Sequence, residues 1–160
     1  MIGVMSDSHD NVTQIRKAVT LFKDAGCDLV LHAGDVVAPF AARELEALGC
    51  PVKAVFGNCD GEKKGLAAAI QPFGRIREAP FKFKYNKINV LVTHLNAPVA
   101  FYAGQKKHDL IIFGHTHESE IRKMGATLII NPGETGGWLT GKSTVALFDP
   151  AAGDARIVGV

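Results

Sequence analysis

The chain has 160 residues, of which 47% are hydrophobic and 21% are charged, a composition typical of a folded globular protein. The formal net charge of +2 is mild and the lysines are scattered, so the sequence carries no strong nucleic-acid signal. The three cysteines form no CxxC pair and indicate neither a disulfide framework nor a thiolate zinc site. With no basic leader and no apolar run of the ~20 residues a membrane helix needs, we expect a cytoplasmic protein without a membrane partner.

The first half of the chain alternates strand and helix patterns. Buried strands are predicted over residues 1–6, 28–33 and 52–56, and a helix over 11–25 is indicated by apolar residues at helical spacing. A second helix is predicted to begin at Pro39 and to end before Gly49. This order predicts a parallel sheet with right-handed crossovers.

The second half is richer in strand patterns. A helix over 61–71 is followed by a hairpin of 81–85 and 88–93, and a short helix is predicted over 97–103. Further strands are predicted over 110–113, 119–124, 126–130, 144–148 and 155–160, the last four as a meander. We therefore expect a single domain over 1–160 with an α/β layered fold and helices outside the sheet.

Side chains that can bind a metal follow the predicted strands repeatedly. Because ligands collect outside the carboxyl ends of parallel strands, the loops that carry these side chains should converge on one crevice. The candidate metal ligands are Asp7, His9, Asp35, Asn58, His94, His115 and His117.

The donor set indicates two cations. Imidazole, carboxylate and amide donors suit Mn, Fe, Ni or Zn, whereas so many histidines disfavour calcium. Seven donors exceed what one ion needs and fit two ions that share a bridging carboxylate. Two divalent ions bring four positive charges. Two aspartates and a bound hydroxide remove three of these, so the site keeps a net positive charge. Asn58 matters here because a carboxylate in its place would remove the attraction for a phosphate.

These residues resemble the calcineurin-like metallophosphoesterases. The shared motifs are Asp-x-His at Asp7, Gly-Asp at Asp35, Gly-Asn at Asn58, the strand-end His94, and Gly-His-x-His at His115, in the family's order. The compact length and the Gly-Asn-Cys-Asp form at 57–60 are most similar to the small, single-domain YfcE-like phosphodiesterases.

The resemblance implies a two-sheet β-sandwich flanked by outer helices, a four-layer αββα arrangement. It implies two divalent metal ions, Mn²⁺ first with Ni²⁺, Fe²⁺ or Zn²⁺ as alternatives, and hydrolysis of a small phosphodiester by a metal-bound hydroxide. One ion would take Asp7, His9, Asp35 and His117; the other would take Asp35, Asn58, His94 and His115. Asp35, Asn58 and His94 are also the expected catalytic residues, and a homo-oligomer is compatible with the sequence.

The sequence departs from the family pattern at two positions. Cys59 stands where a proton-donating histidine is frequent, which weakens the case for protonation of the leaving group. Leu95 follows His94 where glycine is common.

Two competing functions follow from other features. Residues 136–143 match the P-loop pattern, but the segment after Lys142 has strand residues where a P-loop needs a helix. A catalytically silent interaction module on the same fold, as in a retromer subunit, is the second alternative, although such a module need not keep all seven donors.

Four neighbouring polar residues have simpler roles in the sequence interpretation. Asp10 is expected to cap the first helix, and His32 is expected to be a core histidine with satisfied hydrogen bonds. His108 is expected to be solvated, and Asp60 either orients the site or caps the following helix.

Overall fold

The computed structural model describes residues 1–160 and consists of two stacked β-sheets with helices on their outer faces. The first sheet has the order β11-β10-β1-β2-β3-β4, and the second has the order β5-β6-β7-β9-β8. The strands of the first sheet are β1 Ile2–Met5, β2 Leu29–His32, β3 Val52–Val55, β4 Gly74–Arg77, β10 Thr144–Asp149 and β11 Asp154–Gly159. Those of the second are β5 Phe81–Tyr85, β6 Ile88–Val92, β7 Leu110–Ile112, β8 Ser119–Met124 and β9 Thr127–Pro132.

Four α-helices and one 3-10 helix connect the strands. The α-helices are α1 Val12–Asp24, α2 Pro39–Arg43, α3 Lys63–Ile70 and α4 Val99–Gly104, and the 3-10 helix is Glu44–Leu48. None of them combines the length and the apolar run that a membrane crossing requires.

The main core lies between the two sheets. Alternate residues of β1 and β2, such as Val4 and Leu31, face Val92 and Ile112 of the second sheet, and all four are fully buried. The opposite faces are covered by helices, for example by Phe22 of α1. Burial of each such side chain stabilises the fold by roughly 1.5 to 3 kcal/mol. Both faces of the parallel strands are thus buried, which explains their continuous apolar sequences.

The two-sheet arrangement with outer helices confirms the expected αββα architecture. The β1-α1-β2-α2-β3 segment forms the expected parallel sheet, and β3 continues in parallel to β4. Strand β4 is absent from the sequence prediction because Gly74–Arg77 has one buried apolar residue, Ile76, between exposed arginines.

The predicted four-strand meander is wrong. Strands β8 and β9 pair in the second sheet, whereas β10 and β11 pair in the first. The chain between β9 and β10 passes from one sheet to the other instead of forming a tight turn. Strand β9 also lies parallel to β7, so its carboxyl end reaches the same edge as that of β7.

The expected cap of α1 by Asp10 is also wrong. Asn11 is the N-cap, and its side chain accepts a hydrogen bond from the Gln14 backbone N–H. The Asp10 carboxylate instead accepts a hydrogen bond from the Ala38 N–H at 2.8 Å, which joins the loops after β1 and β2.

Candidate metal centre

The loops after β1, β2, β3, β6 and β7 meet at the carboxyl edge of the parallel strands, and they bring the seven sequence-predicted donors together. Asp7, Asp35 and His94 are buried at the base of this cluster. A cavity of about 560 Å³ opens above it, and four other candidates line the cavity with Asp35: His9, Asn58, His115 and His117.

Asp35 lies at the centre of the cluster. Its Oδ2 is 3.4 Å from His94 Nε2 and 3.6 Å from His9 Nε2. Its other oxygen accepts a hydrogen bond from the Cys59 N–H at 2.8 Å, which fixes the orientation of the carboxylate. One oxygen of Asp35 therefore faces histidines from two different loops.

Asp7 forms a second focus of donors. Its Oδ1 is 3.5 Å from His117 Nε2 and 4.0 Å from His9 Nε2, and the rings of His9 and His117 stack at 5.3 Å. Asp7 Oδ1 and His9 Nε2 are both buried and have no hydrogen-bond partner. Such orphaned atoms are costly, and a cation between them would satisfy both.

Hydrogen bonds fix the orientation of two histidines. His94 Nδ1 lies 2.8 Å from the Ala33 carbonyl, and His117 Nδ1 lies 2.7 Å from Glu134 Oε2. Because both partners are acceptors, each Nδ1 carries a hydrogen, so a cation that replaces the Nε2 proton would meet a correctly oriented lone pair on Nε2. The Nε2 of His94 is 2.8 Å from Asn58 Oδ1, so once the Nε2 proton is lost two lone pairs would face each other. This arrangement fits a cation.

The backbone at the cluster is strained. Five of the seven candidates have a positive φ, which costs non-glycine residues on the order of 1 to 3 kcal/mol each and marks functional sites when the surroundings enforce it. Backbone hydrogen bonds enforce it here, for example from Asp7 N–H to the Gly34 carbonyl at 3.0 Å. The five are Asp7 (50°), His9 (39°), Asp35 (58°), His115 (70°) and His117 (61°).

Two glycines allow the loops to approach the aspartates. A Cβ at Gly57 would lie 2.1 Å from Asp35 Oδ1, and a Cβ at Gly114 would lie 2.7 Å from Asp7 Oδ2. Any side chain at either position would displace a candidate ligand, which explains the glycines of the Gly-Asn and Gly-His motifs.

Two buried carboxylates hold the cluster from outside. Asp60 accepts hydrogen bonds from the N–H groups of Asp35 (3.0 Å), Val37 (2.7 Å) and Gly57 (2.7 Å). Helix α3 has no side-chain cap, so of the two roles open to Asp60 the structure shows the orienting one.

Glu134 is the second such carboxylate, and sequence analysis did not identify it. It is fully buried and accepts hydrogen bonds from His117, from the N–H groups of Leu139 and Thr140, and from the Thr140 hydroxyl. Glu134 follows β9 just as the metal-ligand candidates follow their strands. Its place at this edge follows from β9 lying parallel to β7.

The electrostatics of the cluster favour a bound cation. Burial raises the pKa of Asp7 because its charged form is poorly solvated. Burial also acts to raise the pKa of Asp35, but hydrogen bonds from His94 and the Cys59 N–H outweigh it and lower that pKa to about 2. Burial acts to lower the pKa of His94, yet Asp35 more than offsets this and raises it. The same carboxylates that attract a proton to His94 attract a metal ion.

Three other polar residues considered in the sequence analysis differ in role. His32 is a core histidine as expected: it accepts a hydrogen bond from the Gly34 N–H at 3.2 Å and lies 3.1 Å from Ser8 Oγ. Cys59 is exposed in the cavity, and its thiol lies within 4.8 Å of donor atoms of His9 and Asp35, although the sequence pattern indicated no thiolate zinc site. Burial and the charge of Asp35 raise the pKa of this thiol, which keeps it neutral. His108 is half-buried with an unpartnered Nε2, which corrects the expectation of a solvated ring.

A two-sheet sandwich with carboxylate and imidazole donors gathered at its strand ends is an arrangement suited to metal binding in an α/β protein. Residues 1–153 match the family model of the calcineurin-like phosphoesterase superfamily domain. The chain is 34% identical over 152 residues to the phosphodiesterase MJ0936 of Methanocaldococcus jannaschii, and the match covers 92% of each chain. The chain therefore belongs to the calcineurin-like phosphoesterase superfamily.

Solved structures agree with this assignment. An archaeal phosphodiesterase superposes with a TM-score of 0.94 at 32% identity, covering 99% of both chains. The E. coli phosphoesterase YfcE has the same fold, with a TM-score of 0.68 at 20% identity over 93% of this chain and 88% of its own. The predicted family resemblance is confirmed.

Proposed function

We propose that the protein is a dinuclear metal-dependent phosphodiesterase. The observation that carries the proposal is the fixed orientation of His94 and His117, whose Nε2 atoms lie 3.4 Å from Asp35 Oδ2 and 3.5 Å from Asp7 Oδ1. One ion would be held by Asp7, His9, Asp35 and His117, and the other by Asp35, Asn58, His94 and His115.

The position of Asp35 supports its role as the bridging ligand. Its Oδ2 lies within 3.6 Å of His9 on one side and of His94 on the other, and these histidines belong to different proposed ion sites. His115 lies in the cavity wall and would be a ligand of the same ion as His94; the centroids of the two rings are 5.1 Å apart. Each half of the cluster thus has its own histidines, and the two halves share one carboxylate.

The chemistry divides between the ions and the chain. Two divalent cations at this site would supply Lewis acidity toward the phosphoryl oxygens and a water activated near neutral pH. The chain orients the donors and keeps the site positive, since Asn58 contributes an amide oxygen without charge. The neutral Cys59 thiol lacks the charge of an imidazolium, so the site offers little proton donation to a basic leaving group. Esters with acidic leaving groups need that help least.

The preference for diesters has two supports. A diester carries one negative charge fewer than a monoester dianion, which suits a site without an imidazolium at position 59. The similar M. jannaschii protein is named as a phosphodiesterase. Manganese as the metal, the cytoplasmic location, the single domain and any homo-oligomer stay predictions.

The test is a reconstitution series. Protein stripped with a chelator is reloaded with Mn²⁺, Ni²⁺, Zn²⁺ or Mg²⁺ and assayed on bis(4-nitrophenyl) phosphate and 4-nitrophenyl phosphate, with metal counted per chain. We expect two ions per chain, and faster turnover of the diester. Asp35→Asn should lower activity by more than about 100-fold and lower the occupancy of both sites, since loss of an outer-shell partner alone costs ~10- to 100-fold.

Asp24→Asn is the matched control, because Asp24 is exposed at the end of α1, away from the cluster. Two retained metals and near-normal turnover in Asp35→Asn would contradict the bridging role. Wild-type protein that binds no metal and hydrolyses no ester would instead favour the interaction module.

A further inference from the structure

Trp138 and Leu139 form an apolar rim at the mouth of the proposed catalytic cavity. The Trp138 side chain is 64% exposed and that of Leu139 is 76% exposed, and both line the cavity that contains the donor cluster. Single exposed apolar residues are ordinary on protein surfaces. Two large adjacent ones at the mouth of a polar metal site need a reason, because nothing within the fold covers them.

Hydrogen bonds hold the rim in place. The Trp138 indole N–H donates to the His9 carbonyl at 3.1 Å, and the Leu139 N–H donates to Glu134 at 3.0 Å. His9 is a candidate metal ligand, and Glu134 is the partner of His117. The two anchors of the rim are therefore a candidate ligand and the partner of another, which keeps the indole and the Leu139 backbone at a fixed place relative to the donor cluster.

The cavity chemistry indicates what the rim contacts. No lysine or arginine lines the cavity, and Glu118 is the acidic residue beside the rim. A second phosphate group within this cavity would meet no side-chain cation; Lys142 lines the adjoining pocket with Thr140. A flat, uncharged group would lie against the indole and the Leu139 methyls, where aromatic surfaces gain from stacking and burial.

We infer that Trp138 and Leu139 form the subsite for a flat aromatic substituent of the phosphodiester, an inference that rests on the proposed function. The substrate class is then a phosphodiester that carries an aryl group or a nucleobase, which share the same planar chemistry. Alkyl diesters fill the phosphate position but leave the rim uncovered.

The test is calorimetric binding to Mn²⁺-loaded protein at low temperature, with each titration checked for released phenol or alcohol so that the heat of binding is separated from that of hydrolysis. The probes are dimethyl phosphate, diphenyl phosphate and thymidine 5′-methyl phosphate, all diesters with one negative charge. We expect the wild type to bind diphenyl phosphate roughly 3- to 10-fold more tightly than dimethyl phosphate, the range that an aromatic contact provides. Trp138→Ala should abolish this ratio, and Trp138→Phe should retain most of it.

Phe101→Ala is the matched control, since Phe101 is 67% exposed on α4 and lines no part of the cavity. Its ratio should equal that of the wild type. The chain has a single tryptophan, so its fluorescence should respond to diphenyl phosphate and remain unchanged with dimethyl phosphate. If Trp138→Ala weakens the thymidine probe as well, a nucleobase belongs to the class; if only the diphenyl probe weakens, the class is aryl diesters.

An unchanged diphenyl-to-dimethyl ratio in Trp138→Ala would overturn the inference. Failure of the proposed function is distinguishable from this result. It would appear in the wild type as absence of bound metal and of diester hydrolysis, whereas failure of the inference leaves both intact.

Discussion

Replacement of Glu134 by glutamine should weaken one of the two proposed metal sites and spare the other. Glu134 accepts a hydrogen bond from His117 Nδ1 at 2.7 Å and from the Thr140 hydroxyl at 2.7 Å. Burial acts to raise the pKa of Glu134, but bonds from Thr140 and His117 outweigh it and lower that pKa, so the group is a carboxylate at neutral pH. Glutamine keeps the size of the side chain but turns one acceptor into a donor.

The expected magnitude follows from those contacts. A glutamine oxygen can accept from His117 or from the loop of Leu139 and Thr140, while the amide N–H₂ faces other donors. A lost hydrogen bond to a charged group costs about 1.5 to 3 kcal/mol. This agrees with the ~10- to 100-fold loss of metal affinity that follows removal of an outer partner of a ligating histidine. The loss should fall on the site that includes His117.

The assay is a chelator-competition titration with Mn²⁺ that resolves two affinities per chain. Glu134→Gln should lower one affinity by 10- to 100-fold, and the other should stay within about 2-fold. Glu46→Gln, an exposed side chain on the 3-10 helix, is the control and should change neither. Equal affinities in wild type and Glu134→Gln would refute the view that Glu134 orients His117.

Three further predictions address other residues. Lys142→Ala should leave diester hydrolysis within about 2-fold of wild type, because strand β10 follows this exposed lysine where a P-loop has a helix. Loss of an ATPase activity in steady-state assays of this variant would revive the P-loop alternative. Cys59→His should increase turnover of monoesters relative to diesters, since general-acid help is worth ~10²- to 10⁴-fold for basic leaving groups; no relative gain would mean that Cys59 does not set the preference. Burial lowers the pKa of His32 to about 4, so as pH falls from 6.5 toward 4 the unfolded chain takes up the proton before the folded one. The metal-free protein should therefore lose stability over this range, by up to about 1.4 kcal/mol per pH unit, as measured by urea unfolding. The same slope in His32→Gln would assign the effect to other groups.

The parallel half of the fold could be predicted because its strands are continuous apolar segments that each end in a polar loop. Strand β2, with the sequence Leu-Val-Leu-His, is buried throughout and leads directly to Asp35. Local periodicity and strand direction were sufficient there, since every strand of this half runs the same way.

The C-terminal half could not be predicted in the same way because pairing between distant strands decides it. The pattern of β8 to β11 is equally compatible with one meander and with two hairpins in separate sheets. The turn chemistry of residues 133–143 does not show that the chain crosses to the other sheet. Glu134 was missed for this reason, since its place at the metal edge depends on β9 running parallel to β7.

The orientation of the donors was also beyond the sequence. Motif spacing identified His94 and His117, but the hydrogen bonds that fix their tautomers come from Ala33 and Glu134, which are distant in the chain. Likewise, the sequence left two roles open for Asp60, and only the three N–H groups that converge on it decide between them.

The central claim is that two ions share Asp35, and anomalous diffraction from crystals of the Mn²⁺-loaded protein tests it most directly. The account predicts two anomalous peaks about 3.5 to 4 Å apart, the usual spacing of paired catalytic ions, with the Asp35 carboxylate in contact with both. A single peak, or two peaks of which only one contacts Asp35, would contradict it.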